Sequence, residues 1–122
     1  MSDKIKILIL EDNQSDAELL QHELKKSELN FSSEIVQTRQ EFDNALDNFK
    51  PDIILSDYSL PSFDGVTAFH VKQKKSPDTP FIIVSGTLGE ENAVELIKKG
   101  VTDYVLKDNL ISLNLSPLRK AK

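Results

Sequence analysis

Four short apolar runs in this chain each lead into a charged or hydroxyl side chain. Ile5 to Leu10 leads into Glu11 and Asp12. Ile53 to Leu55 leads through Ser56 to Asp57, Phe81 to Val84 leads to Ser85, and Tyr104 to Leu106 leads to Lys107. Runs this short, with little polar alternation, suit strands buried on both faces of a parallel sheet. In an open parallel sheet, ligands bind beyond the carboxyl ends of the strands. Three carboxylates, one hydroxyl and one ammonium, scattered along the sequence, are therefore expected to meet in one crevice.

The segments between the runs carry helical periodicity. Asn13 or Ser15 can cap a helix running to about Ser27, with Ala17, Leu20 and Leu24 as its apolar stripe. A short strand is expected around Glu34 to Gln37. Arg39 to Phe49 reads as helix with Phe42, Ala45, Leu46 and Phe49 on one face, stopped by Pro51. A third helix is expected over about Val66 to Lys75, and Ser76-Pro77-Asp78-Thr79-Pro80 is a turn. Glu90 to Lys99 is the fourth helix, with Gly100 placed to follow its end. From about residue 109 a fifth helix is expected, short or kinked because Ser116-Pro117 interrupts it. Alternating strands and helices predict one α/β domain over residues 1–122, with five parallel strands and helices on both faces.

Composition narrows the function classes. A 39% apolar, 29% charged chain of 122 residues suits a single globular domain. A net charge of -5 argues against a broad nucleic-acid-binding surface. The absence of cysteine excludes disulfides and thiolate metal sites. Neither a signal peptide nor an apolar run of about 20 residues is present, so a cytoplasmic location without membrane contact is expected.

Five motifs in order now form a specific pattern: Glu11-Asp12, Asp57, Leu60-Pro61 with Asp64-Gly65, Ser85-Gly86, and Lys107 with Tyr104 three residues before it. Across nearly its whole length the chain resembles the receiver domain of two-component response regulators. The resemblance implies a flavodoxin-like doubly wound sheet with strand order 2-1-3-4-5. It implies that Asp57 is the phosphoacceptor, forming an aspartyl phosphate, with Lys107 contacting the phosphoryl group and Ser85 as switch hydroxyl. It also implies Mg²⁺ (or Mn²⁺), held by Asp12 and Asp57, by Glu11 mostly through water, and by the backbone carbonyl of Ser59. The loop from Gly86 would move inward, coupled to rotation of Tyr104. Ser59 and Thr87 would modulate the lifetime of the phosphate; both are small and neutral, so fast hydrolysis is not expected. The implied partners are a histidine kinase or histidine phosphotransfer protein, and an effector met through helix 4, strand 5 and helix 5.

Each residue also has a plainer reading. Glu11 and Asp12 favour the N-terminus of the following helix. Asp57 suits a turn former, Lys107 a solvated strand end, Ser85 a loop serine bonded to its own backbone, and Tyr104 a half-buried strand aromatic. The chain departs from the family pattern at Asp108, where proline usually follows the lysine. His22 and His70 have no partners at metal-ligand spacing. The leading expectation is a phosphorelay switch rather than a metabolic enzyme, the alternative being a receiver-like interaction module acting without phosphorylation. A flavin site would want a Gly/Ser/Thr-rich loop after the first strand, where Glu11-Asp12-Asn13-Gln14 stands instead.

Overall fold

Ile7, Leu8, Ile9 and Leu10 are four successive residues with no solvent exposure. Such continuous burial requires cover on both faces of the strand. The computed structural model describes residues 4–26, 30–58, 65–86 and 90–106 and shows how that cover is supplied. In chain order the elements are β1 (Ile5–Leu10), α1 (Gln14–Lys26), β2 (Phe31–Val36), α2 (Arg39–Asn48), β3 (Ile53–Asp57), α3 (Gly65–Lys75), β4 (Phe81–Ser85), α4 (Glu90–Lys99) and β5 (Asp103–Leu106). The five strands are all parallel, in the order β2-β1-β3-β4-β5.

Strand alternation divides the core in two. Ile5, Ile7 and Ile9, with Ile53, Leu55, Ile82, Val84 and Val105, form one face against Leu20 and Leu24 of α1. Leu8, Leu10, Ile54, Phe81 and Ile83 form the other, against Phe42 and Leu46 of α2, Ala68 and Phe69 of α3, and Leu96 of α4. The expected doubly wound α/β architecture, with helices on both faces, is the one observed.

Helix ends follow local chemistry. Asn13 caps α1, its Oδ1 accepting from the Asp16 backbone N–H at 2.9 Å. Thr38 caps α2 through a capping box with Glu41. That helix ends at Asn48, before Pro51: the N–H groups of Phe49 and Lys50 both reach the Ala45 carbonyl, and Lys50 turns out with φ 53°. Gly100 follows α4 with φ 112°.

The second strand lies earlier than Glu34 to Gln37. It spans Phe31–Val36 and pairs with β1 from Ile5↔Phe31 to Leu10↔Val36. As an edge strand it is half-exposed, so Ser32, Ser33 and Glu34 mask the apolar signal there. Gln37 falls beyond it, its N–H donating to the Glu41 carboxylate at 2.8 Å. α3 starts one residue earlier than expected, at Gly65. Residues 59–64, which include Leu60-Pro61 and Asp64, the segment 87–89, Lys107, Asp108 and the expected last helix lie outside the described residues. No described helix is long and apolar enough to cross a membrane.

Candidate functional site

The parallel register brings the acidic residues together. Leu10 of β1 stands beside Ser56 of β3, so the chain continues from these neighbours into Glu11 and Asp57. The Glu11 N–H extends the ladder to the Val36 carbonyl at 3.0 Å, and the side chain is 1% exposed. Its Oε2 accepts from the Asn13 N–H at 3.2 Å, which holds the turn into α1. Asp12, between them, is exposed. Asp57 ends β3 beside Val84 and is 7% exposed. Buried Ser56 donates its hydroxyl to the Asp57 carbonyl at 3.0 Å.

Glu11, Asp12 and Asp57 each place a carboxylate oxygen within 4.8 Å of the others. Charges at such a distance repel by about 3 kcal/mol at an effective dielectric of about 20, when both are ionised. A hard divalent cation with oxygen ligands relieves that repulsion. Around Mg²⁺, oxygens at about 2.0–2.1 Å stand about 2.9 Å apart when adjacent and about 4.2 Å apart when opposite. Three carboxylate oxygens gathered within 4.8 Å are a donor set of the type this ion takes, so the residues fit it by chemistry. The helix-start role of Glu11 is also present, through its contact with Asn13, and the two roles use the same turn.

Ser85 ends β4 one residue past Val84, is buried, and stands beside Leu106 of β5. Exposed Gly86 follows it. Tyr104, half-buried on β5, stands beside Ile83. Lys107, Ser59 and Thr87 lie outside the described residues. His22 on α1 and His70 on α3 are exposed and do not belong to the acidic cluster.

Sequence reasoning passed over Tyr58. Its ring lies against that of Tyr104, with centroids 6.4 Å apart and planes tilted by 42°. The available signal was the alternation Ile54, Ser56, Tyr58, which puts Tyr58 on the same sheet face as Ile83 and Tyr104.

Comparison with known proteins gives a consistent result. Residues 7–113 match the family model for the response regulator receiver domain. The transcriptional regulatory protein KdpE of Staphylococcus aureus is 31% identical over 102 residues, covering 84% of this chain and 43% of KdpE. The chemotaxis protein CheY of Listeria monocytogenes is 28% identical over 117 residues, covering 96% of this chain and 98% of CheY. The solved structure of the phosphorylated cyanobacterial phytochrome response regulator RcpA superposes with a TM-score of 0.75 at 26% identity, covering 98% of this chain and 89% of RcpA. The chain thus spans less than half of KdpE, and 21% of the LuxO regulator of Vibrio cholerae that it also matches.

Proposed function

The chain belongs to the response regulator receiver domain family, and on that premise we propose that it is a phosphoacceptor switch with Asp57 as the modified residue. The observation that carries this reading is the meeting of Glu11, Asp12 and Asp57 at the carboxyl edge of the sheet, beside the strand that ends in Ser85. The phosphorylated state of RcpA supports it by analogy.

A carboxylate oxygen of Asp57 forms a bond to phosphorus as the phosphorus–nitrogen bond to a donor histidine breaks. The electron pair stays on the imidazole nitrogen. Asp12 and Asp57 would hold Mg²⁺ (or Mn²⁺), Glu11 mostly through water and the Ser59 backbone carbonyl as a further ligand; when bound, the ion would neutralise charge on the phosphoryl oxygens. Lys107 adds a second positive charge. Burial of Asp57 and Glu11 limits the competing effect of solvent. Ser85 donates to a phosphoryl oxygen after transfer, drawing Gly86 and Thr87 inward, and Tyr104 carries the change to β5.

The donor is a histidine kinase or histidine phosphotransfer protein. The output passes through α4, β5 and the segment after it to an effector domain or protein, with no direct contact to nucleic acid or membrane. Val94 and Ile97 of α4, 52% and 46% exposed, supply apolar area for such a contact. The setting proposed is the cytoplasm. Intact mass after incubation with acetyl phosphate, with and without Mg²⁺, tests this reading. A single labile phosphate that requires Mg²⁺ and disappears in Asp57→Asn is expected. No adduct, together with an unchanged spectrum in beryllofluoride and Mg²⁺, would establish an interaction module that acts without phosphorylation.

A further inference from the structure

Tyr58 occupies the position directly after Asp57, and its N–H bonds to the Val84 carbonyl at 3.2 Å. Its backbone therefore continues the β3–β4 ladder one step past the acidic cluster. Its half-buried side chain packs on the core layer that contains Phe81, Ile83 and Leu96. Tyr104 packs on the same layer from β5. β4 lies between the two strands, so the rings meet over it, 6.4 Å apart and tilted by 42°. That separation lies within the range of favourable tilted aromatic pairs, about 4.5–7 Å.

We infer that Tyr58 is a positioning residue of the switch: its ring, carried by the residue after the acceptor aspartate, sets the orientation of Tyr104 across β4. Charge added at Asp57 acts on the backbone that carries Tyr58. Tyr104 cannot turn inward without changing its contact with that ring. This route runs through a ring-to-ring contact and is separate from the one through Ser85 and its loop. It rests on the phosphoacceptor reading, because it requires a change at Asp57 to transmit.

The chain contains two tyrosines and no tryptophan. Ring-labelled tyrosine therefore gives two sets of aromatic NMR signals, both from this pair, and tyrosine emission reports the pair alone. The experiment follows the Tyr104 ring signals of the full chain in Mg²⁺, before and after beryllofluoride, in the wild type, Tyr58→Phe, Tyr58→Leu and Tyr58→Met. Acetyl phosphate labelling is read in parallel by intact mass. The expected result is a shift of Tyr104 in the wild type, preserved in Tyr58→Phe. In the leucine and methionine variants it falls by roughly twofold or more, while Asp57 still takes up phosphate. The methionine variant provides a second test at similar volume if leucine disturbs folding. A full-sized Tyr104 shift in either folded aliphatic variant overturns the inference and leaves an ordinary pair of half-buried aromatics. Loss of the shift in Tyr58→Phe overturns it too, by moving the effect from the ring to the hydroxyl. No wild-type adduct and no wild-type shift would overturn the phosphoacceptor reading itself, and this inference with it.

Discussion

Leu10 and Ser56 are cross-strand neighbours, and this register sets the carboxylates of Glu11 and Asp57 side by side with that of Asp12. The cluster holds like charge together without a cation, which costs stability. Asp57→Asn is expected to raise unfolding free energy in EDTA by about 1–2 kcal/mol, a fraction of the Coulomb repulsion after screening by nearby solvent. A ligand that binds the folded state stabilises it by mass action, so Mg²⁺ should raise the melting temperature of the wild type. The rise should shrink in Asp57→Asn. Equal Mg²⁺-dependent shifts in thermal melts of both proteins would remove Asp57 from the cation site.

Thr38 joins β2 to α2 through a reciprocal cap: its Oγ1 accepts from the Glu41 N–H at 3.1 Å, and the Glu41 carboxylate accepts from the Thr38 N–H at 3.2 Å. Thr38→Ala removes one half and should destabilise by about 1 kcal/mol. Thr38→Ser should retain most of the stability. Urea unfolding midpoints for the three proteins decide the matter, and an alanine variant as stable as the wild type would show the cap to be idle.

Lys72 is 4% exposed, on a helix that packs against the core. Its ammonium donates to the Pro77 carbonyl at 2.8 Å and to Gln73 Oε1 at 2.7 Å, and lies 5.6 Å from the Phe69 ring centre. Burial lowers its pKa below 10.5, partly opposed by the charge of Asp78. The folded state thus binds the proton less well than the unfolded chain. The contribution of Lys72 to stability therefore rises as pH climbs through the lowered folded value towards 10.5. Lys72→Met abolishes this dependence. Compared by urea unfolding at neutral and alkaline pH, the wild type should gain on the methionine variant as pH rises. A constant difference would show that the ammonium is not desolvated.

Lys75 has the opposite sign. Its bonds to Asp43 and Asp47, at 2.7 and 2.8 Å, raise its pKa. The stability it contributes is present below 10.5 and is lost as pH rises through the raised folded value. In Lys75→Met that alkaline loss should be absent, and high salt should reduce the difference between the two proteins because the pair is at the surface. Alkaline unfolding curves at low and high ionic strength read both effects. Identical curves for wild type and variant would show that the bridge between α2 and α3 contributes nothing.

Gly100 follows α4 with φ 112°, where a Cβ would meet Phe69 Cζ at 3.5 Å, an ordinary contact. The cost of Gly100→Ala is then backbone strain rather than collision, about 1–2 kcal/mol. A loss well above that in urea unfolding would mean that the Phe69–Phe81 ring pair, 5.5 Å apart, had been displaced as well.

The central strands were legible from sequence as short runs because burial on both faces fills most of their positions with apolar residues. β1 and α4 begin and end where their patterns do. β2 was misplaced because it is an edge strand in which Ser32 and Ser33 are only partly buried and Glu34 and Ile35 are exposed, so its apolar signal is broken. The acidic residues were legible because each stands at the end of such a run. Tyr58 was not, because its partner lies on a strand two places away in the sheet, and nothing in the sequence near Tyr58 encodes that distance.

The pattern of apolar runs, turn residues and strand-end charges determined by itself that this is a parallel α/β domain with an acidic carboxyl edge. Hydrophobic burial and helix capping act over a few residues, so their signals are written locally. Only the tertiary structure decided that Leu10 stands beside Ser56, that three carboxylate oxygens fall within 4.8 Å, and that Tyr58 meets Tyr104. Strand order and register arise from how two helical layers fit the sheet together, a property of the whole packed core that no single segment contains.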